Sequence, residues 1–77
     1  MFRYLICNVA DEEIFKKQCL ALEKNIKELR KGEQVIDVDG SIIQNYFLSN
    51  EKVIVYNSFF LNEVYIQSEF DLERYFT

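Results

Sequence analysis

The stretch DEEIFKKQCLALEKNIKELRKG, residues Asp11 to Gly32, decides the fold class. Its apolar residues Phe15, Cys19, Leu22, Ile26 and Leu29 step by four, three, four and three, which draws one stripe down a helix of about five turns. Asp11 is placed to cap the free N–H groups of the first turn. Glu12 and Glu13 lie at the positive end of the helix dipole and Arg30 and Lys31 at the negative end, with Gly32 available as a left-handed stop. The spacing therefore predicts a helix over 11–31. Glu12 with Lys16, Glu13 with Lys17 and Glu23 with Lys27 add favourable i,i+4 pairs.

On either side of this helix the period shortens. Phe2 to Val9 reads as a strand with apolar residues on both faces, Phe2, Tyr4 and Ile6 on one and Leu5, Cys7 and Val9 on the other. That pattern predicts a strand inside a sheet. After Gly32, Val35 to Val38 alternates, Asp39-Gly40 suits a hairpin turn, and Ile42 to Leu48 returns antiparallel. A capped short helix is the alternative for 42–48, because Ile42, Ile43, Tyr46 and Phe47 also recur at i,i+4. Val53 to Ser58 and Glu63 to Gln67 complete the strands, the last as a candidate edge. Ser68, three residues ahead of Asp71, resembles a capping box for a short terminal helix through Leu72, Tyr75 and Phe76. The expectation is one small α+β domain over 1–77, in the order β-α-β-β-β-β with a possible short closing helix, its long helix packed on an antiparallel-rich twisted sheet.

Chemistry is limited by what the chain lacks. The 77 residues include no histidine, which removes imidazole acids, bases and metal ligands, and no proline or tryptophan. Cys7 and Cys19 are separated by eleven intervening residues, without the close pairing or the further ligands of a structural zinc site, and read as core thiols. Asp37-Val38-Asp39-Gly40 superficially matches the middle of a calcium loop. The match fails where Val35 and Tyr46 replace the flanking carboxylates. Asp37 and Asp39 on one strand face would stand roughly 6.6 to 7 Å apart, a spacing used by inverting glycosidases, but two acids at i,i+2 also arise in any solvated strand. A hydrolase is thus the weakest of three readings. The expectation is no enzyme, no cofactor and no metal. The short apolar run at the N-terminus is neither a leader nor a span, so the chain is expected to be cytoplasmic, with no membrane partner.

Two surfaces remain as candidates for binding. Residues 1–31 carry seven basic and five acidic groups, whereas residues 32–77 carry two basic and eight acidic groups, so the second half holds −6 of a net −4. Nine of the twelve aromatics follow residue 45. One helix cannot cover both faces of the sheet they occupy, so either the sheet curls strongly around the helix or some of these rings lie exposed and are buried by another chain. This argument selects Tyr46, Tyr56, Phe59, Phe60 and Tyr65, with Asp37, Asp39, Glu63, Glu69 and Asp71 around them. It points to a noncatalytic protein-interaction module, a homodimer or a small acidic inhibitor or adaptor. The second face is a helical arc of Lys16, Lys17, Lys24, Lys27 and Lys31 around Leu20. It supports the alternative of a nucleic-acid accessory protein. Nucleic acid is the less favoured partner, because no ring interleaves the lysines and the net charge repels phosphate.

Overall fold

A computed structural model of the chain describes residues 1–75. Strand β1 (Phe2–Cys7) leads into helix α1 (Glu12–Asn25), and four strands follow: β2 (Arg30–Ile36), β3 (Ile42–Leu48), β4 (Glu51–Ser58) and β5 (Glu63–Ser68). A single 3-10 turn, Glu73–Tyr75, ends the described chain. The five strands form one sheet in the order β1-β5-β4-β3-β2, with every neighbouring pair antiparallel. The α+β expectation holds, and 42–48 is strand rather than helix. The chain crosses from one sheet edge to the other through α1 and then returns as a meander until β5 lies beside β1.

Helix α1 starts as its sequence requires. Asp11 is extended (φ −152°), and its Oδ1 accepts from the Glu13 N–H at 2.9 Å and the Ile14 N–H at 3.2 Å. Its end is earlier than the apolar stripe predicts. Asn25 is the last helical residue and Ile26 is extended (φ −119°), although its N–H still reaches the Leu22 carbonyl at 3.0 Å. The reason is tertiary: Arg30 and Lys31 are claimed as strand residues by Phe47 and Tyr46 of β3, so the helix must stop early enough to reach that edge. Gly32 is accordingly no helix stop. It sits in the register shift between Lys31 and Gln34, where a Cβ would lie 2.9 Å from Phe47 Cε2 and 3.2 Å from the Asn45 carbonyl.

Two strand positions also differ from expectation. β1 is an edge and β5 is interior, the reverse of the sequence reading. The two-sided apolar pattern of β1 arises otherwise: Tyr4, Ile6 and Cys7 pack on the core, while Phe2 and Leu5 stay exposed. The capping role expected of Ser68 belongs to Asp71, whose Oδ1 accepts from the Glu73 N–H at 2.9 Å. Ser68 Oγ instead makes a local turn with the Phe70 N–H and carbonyl. Phe76, expected in the closing helix, lies outside the described residues.

The core occupies one side of the sheet. Phe15, Cys19, Leu22 and Ile26 meet Ile42 and Tyr46 of β3, Val53 and Val55 of β4, and Val64 and Ile66 of β5. Leu72 closes this layer beside the helix, and its N–H donates to Tyr4 Oη at 2.7 Å. Leu22 and Ile26 are each 1% exposed. Truncating either to Ala is expected to cost about 2 to 4 kcal/mol, a large share of the about 5 kcal/mol available to so small a domain. Urea melts check this, and a loss below about 1 kcal/mol at both positions would show that the core is placed wrongly.

Candidate functional site

A helix of 14 residues is about 21 Å long and about 10 Å wide, whereas five strands at about 4.8 Å make a sheet about 19 Å across. α1 therefore dries one face, and among the described residues no second element lies over the other. On that bare face alternate residues point outward: Leu5 from β1, Tyr65 from β5, Ile54 and Tyr56 from β4, Ile43 and Phe47 from β3, and Val35 from β2. Tyr65 and Tyr56 are cross-strand partners, and their rings stack with centroids 4.5 Å apart and planes 11° from parallel. The Arg3 guanidinium lies 4.4 Å from the Tyr65 ring centroid and pairs with Glu63. This layering of flat groups leaves Tyr65 only 9% exposed without a helix above it.

Three loops gather at one end of the sheet and are tied to one another. The loop from Asp37 to Ser41 is closed by the Asp37 N–H donating to the Ser41 carbonyl at 2.8 Å and the Gly40 N–H donating to the Asp37 carbonyl at 3.0 Å. Gly40 adopts φ +88°, which a side chain rarely tolerates, and its bare Cα lets the Phe59 ring approach closely. Ser41 Oγ accepts from the Phe59 N–H at 2.9 Å, fastening this loop to the β4–β5 turn, and Ser58 Oγ accepts from the Leu61 N–H at 3.1 Å. Asn62, at φ 55°, accepts the Ala10 N–H on its side chain, and Asn57 accepts the Asp11 N–H at 2.9 Å. With these loops pinned, Phe60 is 88% exposed and Val38 103% exposed. Their apolar surface is held out into solvent by fixed backbone.

Between the loops and the sheet is a hollow of about 280 Å³, floored by Ile43, Tyr56 and Tyr65, walled by Phe60 and Leu61, and rimmed by Asp37 and Asp39. Asp37 Oδ1 accepts from the Val38 N–H and Asp39 Oδ1 from the Ser41 N–H. The Ser41 N–H holds the Asp39 carboxyl below its ordinary pKa. Further along the same face a second hollow of about 350 Å³ is lined by Met1, Lys52, Ile54, Tyr56, Gln67 and Glu69. Tyr56 borders both.

Of the residues selected from sequence, Tyr56, Phe60, Tyr65, Asp37 and Asp39 come together at this hollow. Phe59 lies next to it, packed on Gly40, and Glu63 is engaged by Arg3. Tyr46 does not belong to the surface. It lies on the helix side at 0% exposure, and its hydroxyl donates to Glu23 Oε2. Glu69 reaches the Lys52 N–H and Asp71 the Tyr4 hydroxyl, both away from the hollow. The carboxylate pair imagined on one strand face is absent as such, because Asp37 and Asp39 lie in a turn after β2 has ended at Ile36.

The lysine arc is likewise broken. Lys16, Leu20 and Lys24 are on α1, but Lys27 follows the helix and Lys31 is in β2. Lys16 pairs with Glu12 at 3.4 Å and Lys31 with Glu23 at 3.7 Å. Lys16, Leu20 and Lys31 instead border a groove of about 250 Å³ between α1 and β2. Sequence reasoning missed Leu61, Val38 and Arg3. The run Phe59-Phe60-Leu61-Asn62 was the available signal, since three bulky apolar residues in a turn have little core to enter.

Cys7 and Cys19 are both free thiols, and among the described residues no group of three or more Cys, Asp and Glu is placed to hold a metal. No helix among them is long and apolar enough to cross a membrane. No protein-family model matches the chain, and no curated protein or solved structure matches it either.

Burial, and then the hydrogen bond to Glu23, push the Tyr46 phenol far above its ordinary value near 10. A folded-state pKa raised in this way gives stability that is present below pH 10 and lost as pH rises beyond it. In an alkaline titration the fold is expected to weaken above pH 10, with the Tyr46 phenolate absorbance appearing only as near-UV ellipticity is lost. Tyr46→Phe should remove that part of the absorbance change. Ionisation of Tyr46 before unfolding would contradict its placement.

Proposed function

We propose that this chain is a noncatalytic protein-binding module that docks its partner on the bare sheet face and the Phe59–Leu61 turn. The observation that carries this reading is the exposure of Phe60, Val38 and Leu61 on loops fixed by Ser41, Ser58 and Asn62. Exposed apolar groups on a rigid backbone lose little conformational freedom when they are covered, so their burial is retained as affinity. The sheet face alone projects on the order of 400 Å², from five strands about 20 Å long, and the loops extend it toward the about 800 Å² per partner of a stable interface.

A different protein suits this surface better than a second copy. Two copies would each bring a net charge of −4, with −6 in the half that carries this face, and that like charge weakens the homodimer reading relative to an acidic adaptor or inhibitor. The nucleic-acid alternative loses its geometric support with the breaking of the lysine arc. Catalysis by Asp37 and Asp39 likewise has no strand face to hold the pair.

The test is native affinity capture from the protein's own cell extract. The unsubstituted chain and the opposite-face variant Leu20→Ser are expected to return the same stoichiometric partner, and Phe60→Ser is expected to lose it while melting normally. Equal capture by Phe60→Ser would place the binding surface elsewhere, and absence of any stoichiometric partner would remove the reading.

A further inference from the structure

The hollow beside Phe60 combines flat aromatic surface with two carboxylates, and neither lysine nor arginine lines it. One strand away the protein shows how such surroundings are filled. Arg3 lies on the Tyr65 ring at 4.4 Å from its centroid, and its guanidinium is held by Glu63. The order across the sheet is then Arg3, Tyr65, Tyr56, with the tyrosines stacked at 4.5 Å. Tyr65 is occupied on both faces. Among the described residues Tyr56 carries a ring on one face only, and its other side looks across Ile43 toward the Asp37–Ser41 loop. Asp37 Oδ1 accepts from the Val38 N–H, the Asp39 carboxylate accepts from the Ser41 N–H and the Ser41 side chain, and among the described residues neither carboxylate is paired with a cation.

We propose that this hollow receives an arginine side chain from a basic segment of the partner, stacked on the second face of Tyr56 and paired with Asp37 and Asp39. The inference rests on the binding surface proposed above and names the chemistry it recognises. Arginine fits better than lysine because its plane continues the stack and its forked N–H groups match carboxylate oxygens, whereas an ammonium offers only a strongly hydrated point charge. The −6 charge of residues 32–77 attracts such a segment at longer range. Flanking apolar residues of the partner would cover Phe60 and Leu61.

Three blocked tripeptides, Leu-Arg-Leu, Leu-Lys-Leu and Leu-Gln-Leu, serve as probes, each titrated into the isotope-labelled full chain and followed by amide chemical shifts. The arginine peptide is expected to move the amides of the Asp37–Ser41 loop and Tyr56 saturably, more tightly than the lysine peptide, with no response to the glutamine peptide. Asp37→Asn with Asp39→Asn keeps the turn acceptors while removing the charges, and should weaken the arginine peptide about tenfold. Unchanged affinity in that variant, an equal response to the lysine or glutamine peptide, or shifts scattered over distant acidic groups would overturn the proposal. The capture experiment separates the two levels of the reading. A partner lost by Phe60→Ser but retained by the double asparagine variant rejects the arginine site and leaves the binding surface standing.

Discussion

One helix of 14 residues has to keep a five-stranded sheet dry, and it is about half as wide as the sheet. The rest of the molecule follows from that shortage of cover. On the helix side, the stripe of Phe15, Cys19, Leu22 and Ile26 protects the middle strands, and the chain beyond β5 brings Leu72 and Phe70 over the remaining apolar surface. The Tyr4 hydroxyl fastens that segment by accepting the Leu72 N–H and donating to Asp71. Toward β2 nothing equivalent is present among the described residues, and a groove remains beside Leu20.

On the opposite face the sheet must protect itself. Tyr56 and Tyr65 do so by lying against one another, and Arg3 adds a third flat layer whose charge is met by Glu63. This conceals Tyr65 but leaves Tyr56 half covered, at the boundary of two hollows. The loops at the end of the sheet behave differently. Their apolar side chains are displayed, because side-chain oxygens of Ser41, Ser58 and Asn62 fix the backbone in positions that no core contact would select. Hydrogen bonding thus supplies the rigidity there that packing supplies beneath the helix.

Where sequence reading and structure part company, the cause is strand pairing. Lys27 and Lys31 continue the helical period of Asp11–Asn25, yet the partnership of Lys31 with Tyr46 in the β2–β3 ladder takes it out of any helix. Tyr46 and Tyr56 looked alike as late aromatics. Their register, opposite Val53 in one case and Tyr65 in the other, sends the first under the helix and the second to the bare face. A residue's face depends on the register of its strand, and a slip of one position in either strand would send that strand's tyrosine to the opposite face.

Local signals in the chain were enough to determine the α+β class, the helix start at Asp11, the buried stripe through Ile26 and the shortage of cover over the late aromatics. Each rests on neighbours within a few residues or on a count of apolar side chains against available area. Only the tertiary structure decided that β1 lies at an edge and β5 inside, that α1 ends at Asn25, and that Asp37, Asp39, Tyr56 and Phe60 share one hollow. Those outcomes depend on which backbone groups pair across distances of tens of residues, and side-chain periodicity carries no record of that choice.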